Sequence, residues 1–501
     1  MEDVEREDLL IRASSGIELT DNEDSFDGTK GSVLGENKTN SFYDKVQFIC
    51  IGLLLCCSST AIIILLPLYL EAVDFHGDAY TAIIFTCFST TLGLFVVSCI
   101  AGRLRNGLRS SLMPPFAFSF VLRTGVIYGL SCFLVIYSLE RKKVVCHLQD
   151  PIKMIVLIFS LFYYFFFCRK MMSLEKILWS SLVIIGLFIT VDYGLCDEFL
   201  CRGNERKNRN EDAGDWSWQS HVVWTLVYVV ALALWSLTYT LLEGHLLMSG
   251  DFTYVGPGCS RLLTVSRLVS TRDIHSHSTT CHSCPLLNNT DESQGISSEQ
   301  EQCTSSPTRQ RRQITYVSQQ DSDSDVRPKA LPIALWLHLI TLVVALALCW
   351  TDMISVLGKG SSADEFLNLT RNGLYCHFGG HDKMAHNMSN EGMSTSIYDT
   401  CHQVAIYAWP FLFAYILFVL SSVQFLIMTE SAVFTVAVST IALPLAGIWW
   451  SLFRMTASTP GLLEWFPAAT GGLVCSVFGL LIVLSGMVLL CKAHFKEFRC
   501  G

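Results

Sequence analysis

Residues 47–70, QFICIGLLLCCSSTAIIILLPLYL, run for 24 residues without a charged side chain. A helix rises about 1.5 Å per residue, so this stretch reaches across a hydrocarbon core of about 30 Å. Nine further apolar stretches follow, near 79–101, 116–138, 151–168, 174–193, 220–247, 331–357, 403–428, 432–453 and 467–491. The fold class read from this pattern is an all-α polytopic membrane protein of about ten transmembrane helices, six before a long polar loop and four after it.

Composition points the same way. The 501 residues are 51% hydrophobic and only 16% charged, with a mean hydropathy of +0.41. Soluble domains carry about 25% charged residues. The net charge of −9 comes largely from tails and loops. No basic stripe with interleaved aromatics lies outside the spans, so nucleic acid is not an expected partner, whereas membrane lipid is.

Residues 1–42 are rich in Asp, Glu, Ser, Thr and Gly and read as a disordered acidic cytosolic tail without a signal peptide, leaving the first span to direct insertion. Residues 43–247 hold spans one to six. Residues 248–330 are rich in Ser, Thr and Gln, with Arg309, Arg311 and Arg312 ahead of an acidic run from Asp321 to Asp325. Such a segment buries too little apolar surface to fold alone and reads as a disordered cytosolic loop. Residues 331–495 hold spans seven to ten, interrupted by a luminal loop at 358–402, and 496–501 form a short cytosolic tail.

Orientation follows from the Lys/Arg content of the short loops. Arg103, Arg105 and Arg109, then Arg169, Lys170 and Lys176, then Lys492, Lys496 and Arg499 all fall on one side of a ten-span chain. That side is expected to be cytosolic. Arg141, Lys142 and Lys143 fall on the other and stand as an exception. Two sequons, at Asn368 and Asn387, lie in the 358–402 loop and would be luminal acceptors. Sequons also arise by chance, as at Asn37 and Asn288 in expected cytosolic segments. Cys376 and Cys401 in that loop are the pair expected to join in an oxidising lumen, and the preceding luminal loop offers Cys196 and Cys201. Cysteines within the spans read as small packing residues. Cys281 and Cys284 lack a second matching pair, so no metal site or cofactor is expected.

The tail also carries Glu5-Arg-Glu-Asp-Leu9-Leu10, an acidic residue four positions before a Leu-Leu pair. This is the pattern read by clathrin adaptors at endosomes and lysosomes: a carboxylate for a basic patch, two leucines for an apolar pocket. Chance matches are common in acidic tails.

Polar groups within spans carry functional weight because burying them in lipid is costly. Arg123, Lys153 and Glu243 read as deep in spans three, four and six. Asp192, Asp352 and Glu430 lie near span ends, where structural pairing is the plainer reading. Gln149, Gln424 and Ser439 complete the candidate substrate-cavity and proton-coupling set, with Glu243 the leading proton carrier and Asp352 the second. Arg123 and Lys153 would meet an anionic substrate group or pair with a carboxylate. Pro151, Pro410 and Pro444 free backbone carbonyls within spans, which either line a cavity or shape packing. Gly472, Gly479 and Gly486 recur every seven residues and place a small-residue face on span ten for close packing. No P-loop, HExxH, nucleophile elbow or dinucleotide loop occurs, so no catalytic residues are assigned and an enzyme is not expected.

The stretch His147-Leu-Gln-Asp-Pro-Ile-Lys-Met154, the turn from Arg169 through Lys176 to Gly186, Cys401 opening span eight, and Thr429 to Ser451 with Ser439 and Pro444 together resemble the drug/metabolite transporter superfamily. The resemblance is to its chloroquine-resistance-transporter-like and nucleotide-sugar-transporter-like members. It covers most of residues 43–495, and the long 248–330 insertion departs from the family pattern. It implies two inverted five-helix halves, with a central cavity lined mainly by spans one to four and six to nine. It also implies alternating access to a small-molecule substrate. The expectation is a carrier of small organic solutes such as amino acids, peptides or amines on an endosomal or lysosomal membrane. A Golgi or endoplasmic-reticulum nucleotide-sugar carrier, and a membrane receptor or scaffold, are the alternatives.

In cells, the full chain is expected to show glycosidase-sensitive mass that disappears when Asn368→Gln and Asn387→Gln are combined. Leu9→Ala with Leu10→Ala is expected to move the protein from late endosomes or lysosomes to the cell surface. Retention of the glycan by the first variant reverses the orientation, and an unmoved second variant removes the address.

Overall fold

The structure is a computed structural model that describes residues 33–74, 77–104, 118–168, 172–191, 198–199, 207–208, 216–250, 329–354, 357–358, 362–379, 394–455, 463–467 and 471–500. The sorting motif at Glu5, Leu9 and Leu10, Asp192, Cys196, Cys201, Cys281, Cys284, Asn387 and most of the 248–330 loop lie outside the described residues. Met1–Cys50 and Ile51–Gly501 form separate compact units, and the described part of the first is the leading stretch of one long helix.

That helix, α1, runs Val33–Asp74. It begins about ten residues earlier than the tail boundary read from the sequence, because extending a formed helix costs far less than nucleating one. The other expected spans appear as α2 (Ala79–Leu104), α3 (Phe118–Leu139), α4 (Cys146–Tyr163, continued by a wide turn to Cys168), α5 (Leu174–Thr190), α6 (Trp218–Gly250) and α7 (Ala330–Ala347). The 358–402 loop is not bare coil. It contains α8 (Ala363–His377), whose first turn is capped by Ser362 Oγ accepting the Glu365 N–H at 3.3 Å. The eighth span is α9 (Ser394–Thr429), the ninth is split into α10 (Ala432–Thr440) and α11 (Ala442–Leu452), and the tenth is α12 (Gly471–Cys500). The split follows from Pro444, which has no N–H to return to the Thr440 carbonyl. Two short antiparallel pairs, β1 (Glu198–Phe199) with β2 (Lys207–Asn208) and β3 (Phe453–Met455) with β4 (Leu463–Trp465), lie between helices.

Among the described residues, nine helical stretches are long and apolar enough to cross a membrane, so the chain is a multi-pass membrane protein. The fifth expected span differs. Helix α5 has only 17 residues and reaches about 26 Å, short of the ~30 Å core. Its packing explains how so short a helix is held. Antiparallel α12 lies against it, and a β-carbon on Gly479 would fall 2.8 Å from the Gly186 carbonyl oxygen and 2.8 Å from the Thr190 nitrogen. One on Gly186 would fall 2.9 Å from the Val483 nitrogen, and one on Gly486 would fall 3.1 Å from the Val183 nitrogen. The seven-residue glycine stripe is thus where two backbones touch. Helix α3 uses the same device toward α7, where a β-carbon on Gly125 would meet Ile340 side-chain carbons and one on Gly129 the Thr341 backbone. Ser131 Oγ also donates to the Ala231 carbonyl on α6 at 2.7 Å.

Gly479→Leu is expected to force α5 and α12 apart and cost roughly 1–3 kcal/mol or more, seen as a lower unfolding temperature of the solubilised full chain. Gly471→Leu, whose β-carbon meets nothing within 4 Å, should be neutral. Equal effects of the two would refute the close-packed face.

Candidate functional site

The helices form a partly open cavity of about 230 Å³ lined by α1, α2, α3, α4, α6, α9, α10 and α11. It is mostly apolar and aromatic, with Ile62, Pro67, Val135, Trp235, Phe411 and Phe418 among its walls. The lining falls at residues 83–87 and 149–156, toward the starts of α2 and α4, at 128–139 in the second half of α3, and at 228–235 in the middle of α6. The cavity therefore occupies the half of the bundle nearer the end that the sequence reading makes luminal. Pro67, which the sequence reading passed over, sits in its wall inside α1. Ser439 and Thr440 line it where the ninth span breaks.

Its polar groups are few. Lys153 is the one charged lining side chain among the described residues, and its Nζ donates to Asp150 Oδ1 at 3.0 Å. Asp150 is more than half exposed, so the pair is weak, about 0–1 kcal/mol, and open to replacement. Gln149 also lines the cavity while its Nε2 donates to the Val144 carbonyl at 2.9 Å. Ser59 Oγ lines it with no hydrogen-bond partner, although the residue is buried. Tyr415 is tied to its neighbours: its hydroxyl lies 2.9 Å from that of Tyr128 and 3.2 Å from His338 Nε2. His338 Nδ1 faces the Ala334 carbonyl at 3.0 Å, so Nδ1 carries the hydrogen and Nε2 accepts from Tyr415. This chain links α3, α7 and α9 at the cavity wall.

Of the candidate cavity residues, the structure brings together Gln149, Lys153 and Ser439. Arg123 is exposed on the outer face of α3, one and a half turns from its start, where a long cation reaches the interface instead of the interior. Gln424 lies on α9 six residues beyond Phe418, outside the cavity wall. Glu243 is buried at the opposite end of the bundle. Its Oε2 accepts the Ala432 N–H at 2.8 Å, at the first turn of α10, beside the Ser431 cap on the Phe434 N–H. A carboxylate there satisfies an orphan N–H and meets the positive end of the helix dipole, a structural use that its apolar surroundings in the sequence did not signal.

Asp352 belongs to a site the sequence reading missed. At the start of α4 and the ends of α3 and α7, charged side chains leave water altogether. Lys143 is fully buried, and its Nζ donates to Glu140 Oε2 at 2.9 Å and to the Leu357 carbonyl at 3.1 Å, with the Trp224 ring 4.5 Å away. Arg141 adopts a left-handed backbone (φ 50°) and sets its guanidinium 3.6–3.8 Å from Asp74, Asp78 and Glu140. Its carbonyl accepts the Trp216 Nε1–H at 3.2 Å, and the Lys143 carbonyl meets His221 Nδ1 at 2.7 Å. Tyr137 Oη donates to Asp352 Oδ1 at 3.0 Å. The basic triplet that broke the loop-charge pattern is therefore no free loop charge: Arg141 and Lys143 are neutralised inside the protein. Burial lowers the Lys143 ammonium and raises the Glu140 carboxyl from their ordinary ranges, each opposed by the charge of the other.

Beside this cluster, Cys376 and Cys401 form a disulfide that joins α8 to α9, with Cα atoms 4.9 Å apart. It holds His377 in a closed contact. Nδ1 faces the Gly373 carbonyl at 2.6 Å, Nε2 accepts from Tyr69 on α1, and the His377 carbonyl accepts the Trp409 Nε1–H at 3.0 Å. Asn368 is exposed on α8. No protein-family description matches the chain, and no curated protein matches it.

Burial holds His377 near pKa 4 instead of 6.5. The unfolded chain then binds a proton as pH falls through 6.5 while the native chain does not. Stability is expected to decline by up to about 3 kcal/mol between those two values and to level off below them. The unfolding temperature of His377→Gln should lack this acid-side decline, and a decline identical to wild type would show that another group causes it.

Proposed function

We propose that the protein is a secondary-active, alternating-access carrier of small organic solutes across an endosomal or lysosomal membrane. The observation that carries this reading is the central cavity, lined by seven of the ten expected spans and holding a single loosely paired lysine. Two further features support it. The cavity wall contains Pro67 inside α1 and the helix break between Thr440 and Ala442, where a backbone carbonyl is left free. The two ends of the bundle are closed by unlike contacts, the ionic cluster at one and the Glu243–Ala432 bond at the other, so either end can release while the other holds. The dileucine motif supports the endosomal address, and a proton gradient across that membrane is the proposed drive.

The lining also narrows the substrate. With one cation and no carboxylate among the described lining residues, the cavity suits neutral, zwitterionic or singly anionic solutes with an apolar body. A free amine would find no counter-charge. A nucleotide sugar, with its two phosphate charges, would find only one, which puts the Golgi reading second.

Purified full-length protein in liposomes, offered a panel of amino acids, peptides, amines, small carboxylates and nucleotide sugars, is expected to give saturable uptake of at least one of the favoured classes. Lys153→Met should lower uptake of singly anionic solutes about tenfold, the value of one lost charge contact of ~1.4 kcal/mol, and spare neutral ones. No saturable uptake of any class would sink the carrier reading, and equal loss for all solutes would make Lys153 structural.

A further inference from the structure

We propose that the buried ionic cluster is a proton-binding site, in which one exchangeable proton is shared among the carboxyls of Asp78, Glu140 and Asp352. The site is argued from its own geometry, and only its consequence for transport rests on the carrier reading above.

The carboxyl oxygens converge. A single donor, the Ala79 N–H, serves both Asp78 Oδ1 at 2.9 Å and Glu140 Oε1 at 3.0 Å. The Arg141 guanidinium faces the same two oxygens at 3.6 and 3.7 Å. The Asp78 carboxyl also lies near enough to those of Glu140 and Asp352 to influence the protonation of each. All three residues are at most 3% exposed. Three carboxyls out of water do not all ionise beside two bases and one shared N–H, because their mutual repulsion is incompletely offset. An independent observation points to the same missing hydrogen. Asp352 Oδ1 takes the Tyr137 hydroxyl, while Asp352 Oδ2 is buried and meets no donor. A proton on one of the facing carboxyls supplies that donor.

The charge count agrees. Three buried carboxyls face two bases, Arg141 and Lys143, so one proton brings the group to neutrality. The other titratable groups around it do not alter this. Asp74 on α1 turns a buried oxygen toward Arg141 but is 38% exposed as a side chain, and Tyr80 on α2 and Tyr137 on α3 are phenols. His221 on α6 presents Nδ1 to the Lys143 carbonyl rather than to a carboxyl. Burial, opposed by Lys143 and reinforced by Asp78, raises the Glu140 carboxyl toward the range where such a proton exchanges.

The cluster abuts the cavity. Leu139, which precedes Glu140, lines it, and the Val144 carbonyl next to Lys143 holds the cavity residue Gln149. With the proton bound, the closed end buries a neutral group. With the proton lost to water, it buries a net negative charge and is weakened. In the carrier reading, an acidic lumen therefore favours the state closed at this end, which is the state that releases solute on the other side.

Infrared difference spectroscopy of the purified full chain, titrated from acid to alkaline pH, reads protonated carboxyls directly. Wild type is expected to keep one protonated-carboxyl band at neutral pH and lose it on alkaline titration. Asp352→Asn and Asp78→Asn should each abolish the band, and Glu243→Gln should leave it in place. Absence of the band from wild type at neutral pH overturns the proposal without any variant. Survival of the band in both cluster variants, or its loss in Glu243→Gln, overturns it as well. In liposomes Asp352→Asn should flatten the pH dependence of uptake. A cluster-dependent band in a protein that transports nothing upholds the proton site while removing the carrier reading.

Discussion

A lysine with no exposed surface, held between a carboxylate and two aromatic rings, sets the constraint on one whole end of this protein. Removing one partner of a buried ion pair costs about 3–5 kcal/mol, because the other charge is left without water or counter-charge. Lys143 therefore has to find Glu140, and the Leu357 carbonyl, in every folded molecule. Meeting that demand draws in the turn after α1, the end of α3, the start of α6 and the end of α7. Arg141 enters a left-handed conformation that a non-glycine residue holds only when its surroundings over-determine it. The carboxyl contacts, the Trp216 and His221 bonds and the lid of α8 are arranged around this point.

The pairing of α5 with α12 solves a different problem with a different device. Between apolar helices in lipid there is little hydrophobic drive to associate, so close backbone approach has to supply attraction. The α5–α12 contact does so through Gly186, Gly479 and Gly486, and it explains how a 17-residue helix keeps its place beside longer ones. These two helices stand outside the cavity wall, and the lining comes from seven of the other eight spans. The proline of α1, Pro67, and the break after Thr440 belong instead to helices that surround the cavity.

What the sequence made legible follows the strength of each physical signal. Long uncharged stretches announce spans because lipid tolerates nothing else, and their places agree with the helices to within a few residues in most cases. The glycine stripe on span ten was readable because a seven-residue period admits one face. Gln149, Lys153 and Ser439 were readable as polar groups in apolar helices, but so were Arg123, Gln424 and Glu243, which face elsewhere. Hydropathy reports how far along a span a residue lies and says nothing of the direction in which it points. The ionic cluster was the least legible, since its members are scattered from Asp74 to Asp352 and, apart from Asp352, which stood among the candidates, each looks like an ordinary loop charge. One signal did exist: Glu140 stands directly before Arg141 and Lys143, and a basic triplet on the wrong side of the loop-charge pattern is a sign that those charges are spent internally.

The two closures differ in how they respond to their surroundings. The Glu243–Ala432 bond joins a carboxylate to a backbone N–H at a helix start, and it strengthens with the charge on Glu243. The cluster at the other end holds more carboxyls than bases and closes best when one of them is neutral. A proton therefore acts on the two ends in opposite senses, tightening the one it enters and loosening any end whose closure depends on an ionised carboxylate. In the carrier reading proposed above, a difference in proton activity across the membrane would bias which end stays shut, because the cavity touches the cluster through Leu139 and Gln149. Such a bias would need no movement of charge through the cavity itself, and it would leave Lys153 available for the proposed solute.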